Sequence, residues 1–186
     1  AVPGLANWAS GCGNHLTRPV MEGVVDVHRD AVLAKFHSDT CTDRAKSAPA
    51  PAADAPASGR KAIIYATCFT NYNNPEIGSA AQAILAKNGV ETEVVYPRCC
   101  GMPQLEQGDI AAVAEAAKST ATDLVPWIEK GYDVIALVPS CALMLKFEWP
   151  LIVPDDVNVK TLSGATFDIT EYIVDIAKSE GLAEGL

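Results

Sequence analysis

Four cysteines are spaced so that they could act together: Cys68, the adjacent Cys99 and Cys100, and Cys141. A thiolate is a soft donor that suits zinc or an iron–sulfur centre, and it is also a redox-active nucleophile. Adjacent cysteines are poorly placed for a structural disulfide, and the chain opens with no basic segment followed by an apolar one. The set is therefore read as metal-binding or redox-active, and not as a disulfide framework. Four thiolates close together would raise one another's pKa values unless a metal took up their charge. Cys141 follows Pro139-Ser140 at an expected helix start, where free N–H groups favour a thiolate, and Gly101 allows the backbone to approach a centre closely.

These residues need elements to bring them together. KAIIYAT (61–67), ETEVVYP (91–97) and YDVIALV (132–138) are apolar, β-branched runs that predict strands, the third apolar enough to be covered on both faces. Between the first two, Asn74-Pro75 opens a helix that stops at Asn88-Gly89. Between the second and third, Asp109 opens a longer helix, with a kink expected at Pro126. Further helices are expected over 141–149 and 168–178. Alternating strands and helices predict an α/β fold, a small Rossmann-like parallel sheet with helices on both faces. Cys68, Cys99-Cys100 and Cys141 each follow a strand, so all four belong at the carboxyl edge of that sheet, where ligands of such folds bind.

Three segments are expected: an N-terminal connector arm (1–46) with one amphipathic helix between Leu16 and Phe36, a flexible linker (47–59), and the compact domain (60–186). The linker, SAPAPAADAPASG, has no large apolar side chain with which to anchor itself. The arm lacks a core of its own, so its apolar face should dock on something else. Ala1 to Trp8 resembles no targeting peptide, and the chain is read as a piece of a longer polypeptide.

The residues total 14 basic against 23 acidic, a formal charge of −9, with no Lys/Arg-rich stripe to meet a phosphate backbone; nucleic acid is not an expected partner. No apolar run nears the roughly 20 residues that cross a bilayer, so the expected location is cytoplasmic, with the inner membrane face reached only through a partner. Cys12 and Cys41 are read as free thiols, and His15, His28 and His37 as solvated or capping residues. Asn71, Tyr72 and Asn73 are candidate donors to sulfur, with an ordinary turn and helix cap as the alternative. Glu106, Asp109 and Glu115 are read as a solvated helix start.

The runs YATCFTNYNNPEIG, YPRCCGMPQLEQGD and VPSCALMLKFEWP resemble the cysteine-rich, Cys-Cys-Gly domain of iron–sulfur oxidoreductases. That family includes the cysteine-rich component of heterodisulfide reductase, the iron–sulfur component of the anaerobic glycerol-3-phosphate dehydrogenase, and lactate-utilisation iron–sulfur proteins. LANWASGCGNHLTRP is similar to the connector that precedes the first such domain in the glycerol-3-phosphate type. The resemblance implies that Cys68, Cys99, Cys100 and Cys141 hold a [4Fe-4S] cluster, non-cubane in some members, with structural zinc as the alternative. It implies an electron relay of anaerobic respiration between a flavoprotein dehydrogenase subunit and a quinone or disulfide acceptor, or else a catalytic disulfide reductase. Two features depart from the family pattern. Met144 stands where a further cysteine often follows, and no second Cys-Cys-Gly is present.

Overall fold

A computed structural model describes residues 2–185. Its centre is a parallel sheet of four strands, β1 (Lys61–Tyr65), β2 (Glu91–Val95), β3 (Asp133–Ala136) and β4 (Thr166–Asp168), in the order β2-β1-β3-β4. Lys61 pairs with Glu91 and Tyr65 with Val95 on one side of β1, and Tyr65 pairs with Ala136 on the other. The three strands that precede the cysteines are therefore neighbours and end level with one another. β4 was not expected: its three residues are too short to show an alternating pattern.

In chain order the helices are α1 (Pro3–Ser10), α2 (Arg18–Val25), α3 (Cys41–Arg44), α4 (Cys68–Tyr72), α5 (Pro75–Lys87), α6 (Met102–Glu106) and α7 (Ile110–Ile128). After β3 come α8 (Pro139–Leu143), a π-type turn (Met144–Glu148), α9 (Trp149–Ile152), α10 (Val157–Ala165) and α11 (Ile169–Ser179). Both ends of α5 and the start of α7 lie where the sequence puts them. Asn88 caps α5 before Gly89 turns at φ 90°, and the Asp109 side chain accepts from the Ala112 N–H, 3.1 Å away.

Strand alternation sends Ile63, Tyr65 and Val134 to one face of the sheet, where they meet Val113, Ala117, Leu124, Leu145 and Trp149. Ala62, Ile64 and Ile135 face the other way onto Leu85, Tyr172 and Ile176. With helices on both faces, the α/β architecture read from the sequence holds.

The arm differs from expectation. Its helical pattern breaks at Asp26, the one non-glycine residue with positive φ among those described, so that α2 ends well short of Phe36. The buried Arg18 guanidinium draws the following chain back by donating to the carbonyls of Arg29 (2.8 Å), His28 (2.8 Å) and Ala31 (2.6 Å), and it holds the end of α1 through the carbonyl of Ser10 (3.4 Å). α3 is a third helical segment of the arm and docks on α5, with Cys41 buried against Gly78.

The linker also contacts the domain more than its composition suggests. Ala52 N–H donates to Ala86 O (2.8 Å), Ala57 N–H donates to Asn88 O (2.9 Å), and Ala57 is buried. The chain needs no large side chain here, because backbone groups satisfy the exposed carbonyls at the end of α5 and small alanines let them come close.

Candidate metal centre

Each cysteine position is set by the element before it. Thr67 follows the end of β1 and caps α4, its hydroxyl accepting from the Thr70 N–H (3.1 Å), which makes Cys68 the first residue of that helix. β2 ends at Val95, and Pro97 breaks the ladder; the chain then passes Cys99 and Cys100 to Gly101, whose φ of 82° starts α6. Cys141 is the third residue of α8, directly after β3.

The structure brings the four sulfurs together in two pairs. Cys68 Sγ lies 3.7 Å from Cys99 Sγ, and Cys100 Sγ lies 3.1 Å from Cys141 Sγ. The first pair is half-buried and the second buried, at 2% and 6% exposure. All four are free thiols. Among the described residues, no three potential ligands already surround one point at the spacing of a single ion. A tetrahedral zinc with sulfurs at about 2.3 Å has edges of about 3.8 Å. The outer pair meets that length, while the inner pair is closer than either an ion or a cluster would hold it.

The sulfurs set one another's protonation. Cys100 donates toward Cys141, which pushes the Cys100 thiol up to about 12 and holds Cys141 below the ordinary thiol range. Cys99 is driven well up by its hydrogen bond to Cys100 and by burial, while the Gly101 N–H acts in the opposite direction. Cys68 is raised by burial and by Cys99. Four sulfurs, mostly holding their protons because no charge in contact favours the thiolate, form a donor set that a thiophilic metal fits, since the metal would replace those protons. A cleft of about 330 Å³, lined by Arg98, Cys99, Gly101 and Gln104, opens the Cys99 side to the surface.

Sequence reasoning missed two residues. The Tyr65 hydroxyl donates to Arg98 O (2.6 Å), and the Trp149 indole N–H donates to Cys100 O (3.1 Å). The available signal was a tyrosine ending an apolar strand and a tryptophan eight residues after a candidate ligand, each with a polar tip that needs a partner once buried. Asn71 and Asn73 direct their side chains to the arm, while the Tyr72 ring packs edge-on against Tyr96 at 5.5 Å. Asn71 Oδ1 accepts from the Thr42 N–H (3.2 Å) and Asn73 Nδ2 donates to Lys35 O (2.8 Å), so both residues tie the arm to α4. Met144 is a fully buried core residue.

The chain is similar to lactate utilization protein A of Bacillus pumilus, 29% identical over 121 residues, covering 62% of this chain and 49% of the relative. The protein of the same name from a Geobacillus species is 29% identical over 131 residues, covering 68% of this chain and 53% of the relative. The chain thus spans about half the length of the curated relatives it matches. No solved structure matches it. Residues 62–146, the stretch from β1 to just past Cys141 that holds all four converging sulfurs, match the family described as the cysteine-rich domain, CCG.

Proposed function

We propose that the chain is an iron–sulfur electron-transfer module of an oxidoreductase, with Cys68, Cys99, Cys100 and Cys141 as the ligands of a [4Fe-4S] cluster. One observation carries the reading: four free thiols converge from the carboxyl ends of three adjacent parallel strands, although 31 and 41 residues separate the partners of each pair. Met144 is packed in the core, so these four sulfurs are the set the strand-end loops offer, and four cysteines are the ordinary complement of such a cluster. When bound, the group would supply one-electron transfer. The chain's own part is to orient the sulfurs, bury the inner pair and leave the Cys68 and Cys99 edge open for exchange with a donor and an acceptor.

The donor is a flavoprotein dehydrogenase and the acceptor a quinone, with any membrane reached through a partner. Because the relatives bear the name lactate utilization protein A, lactate oxidation is the first donor reaction to assay. Disulfide reduction at the same centre is the second reading. The half-exposed Cys68 and Cys99 pair beside an open cleft favours it, since a disulfide substrate must reach the centre.

The deciding experiment is anaerobic purification followed by iron, acid-labile sulfide and zinc analysis, with electron paramagnetic resonance before and after reduction. About four irons and four sulfides per chain, with a signal that changes on reduction, are expected. Stoichiometric zinc without iron would overturn the redox assignment in favour of a zinc-stabilised module.

A further inference from the structure

The loop bearing Cys99 and Cys100 lies beyond the end of the β1–β2 ladder, so strand pairing does not fix its direction. Two donors from other elements reach it instead. Tyr65, the last residue of β1, donates its hydroxyl to the carbonyl of Arg98, and Trp149 donates its indole N–H to the carbonyl of Cys100. The two acceptors lie one on each side of Cys99. Both donors are completely buried, so neither polar tip could turn to water if the loop moved.

We propose that Tyr65 and Trp149 are positioning residues that set the presentation of the vicinal cysteines to a metal; the metal part of this inference rests on the reading of the four cysteines as ligands. The connectivity supports it. Tyr65 stands three residues before Cys68 on the same strand-to-helix passage, and Trp149 rides on the helical run of α8, the π-type turn and α9 that also carries Cys141. Each element that supplies one of the outlying ligands thus also sends one hydrogen bond into the loop that supplies the central two. The three loops are linked as a unit, and a shift in any one would misalign the others.

π-type turns recur at functional sites because the extra residue re-aims the side chains that follow. Here the turn ends immediately before Trp149. A core built only for apolar packing could place phenylalanine at both positions. A hydroxyl and an indole N–H in this interior carry a desolvation cost that only these two carbonyls offset.

The test uses the whole chain, metal-free and reduced under anaerobic conditions, as wild type, Tyr65→Phe and Trp149→Phe. Co²⁺ is titrated in and followed by its thiolate charge-transfer absorbance. In parallel, iodoacetamide alkylation of each cysteine is timed by peptide mass spectrometry without metal. Loss of either hydrogen bond should weaken Co²⁺ binding about 10-fold or more. It should also speed alkylation of Cys99 and Cys100 several-fold, with the rate at Cys41, buried where α3 meets α5, unchanged. Tyr65→Phe removes one oxygen and keeps the ring, so it decides the matter if Trp149→Phe fails to fold. Folded variants with wild-type Co²⁺ affinity and wild-type alkylation at Cys99 and Cys100 would overturn the proposal, as would acceleration that Cys41 shares. If the wild-type chain binds no Co²⁺, the ligand reading is at fault, and the alkylation rates alone decide whether the loop is held by these two residues.

Discussion

The inner pair of sulfurs shows how one hydrogen bond divides labour between two like groups. Cys100 keeps its proton and lends it to Cys141, so the buried pair carries at most one negative charge before any metal arrives. Replacing Cys100 by serine would leave the hydroxyl in nearly the same volume and shorten the reach toward any metal. On the proposed iron–sulfur reading, the expected result is a variant that purifies without iron while its far-UV circular dichroism is kept, with stability lowered by about 1–3 kcal/mol for the polar group placed in the core. Metal analysis and urea unfolding on the anaerobic variant check both halves. A structural zinc module would behave otherwise, since metal binding there is folding free energy and the variant would unfold.

At the scale of elements, α3 meets α5 at a close contact between Cys41 and Gly78. A Cβ added at Gly78 would lie 2.1 Å from Cys41 Sγ, far inside any allowed contact, so the glycine is what lets the short helix settle. Gly78→Ala should destabilise the chain by about 1–3 kcal/mol through overpacking and make Cys41 reactive toward thiol reagents. The double variant Cys41→Ala with Gly78→Ala should recover most of the loss, because it removes the sulfur that clashes. Chemical denaturation of the three proteins, with thiol titration, gives the comparison.

The same element scale shows what was legible beforehand. Strands β1, β2 and β3 and helices α5 and α7 were readable because their signals are local: β-branched apolar runs, Asn74-Pro75, Asn88-Gly89, Asp109. The meeting of the four cysteines was readable through topology, since each follows a strand of one parallel sheet. The hold of the linker on α5, the turn of the arm at Asp26 and the contacts of Tyr65 and Trp149 were not readable. In each case the partner is a backbone carbonyl or a backbone angle, and main-chain groups leave no mark in side-chain hydropathy.

For the whole molecule, the segment before β1 joins arm and sheet through a seam around Gly89. A Cβ at this position would meet Ala52 O at 2.9 Å and Ser58 N at 2.9 Å, and the positive φ of 90° disfavours any side chain. Gly89→Ala should therefore cost about 1–3 kcal/mol and open the chain near Ala52–Ser58 to protease, as urea unfolding and timed digestion will show. No helix among the described residues is long and apolar enough to cross a membrane.

The strand order β2-β1-β3 has a consequence for the sequence of events in folding. Cys68 and Cys99, 31 residues apart, meet once β2 has docked beside β1, whereas Cys100 and Cys141, 41 residues apart, meet only when β3 has docked on the other side of β1 as well. A short zinc finger captures its ion from a local hairpin and folds around it. Here only Cys99 and Cys100 are neighbours in the chain, so long loops must close before either sulfur pair forms, and that closure is the slow step in forming a parallel sheet. A metal held by all four sulfurs would therefore be taken up after the sheet has formed. Until then the nascent chain presents its thiols at three separate places, Cys68, the vicinal Cys99 and Cys100, and Cys141, each exposed to oxidants.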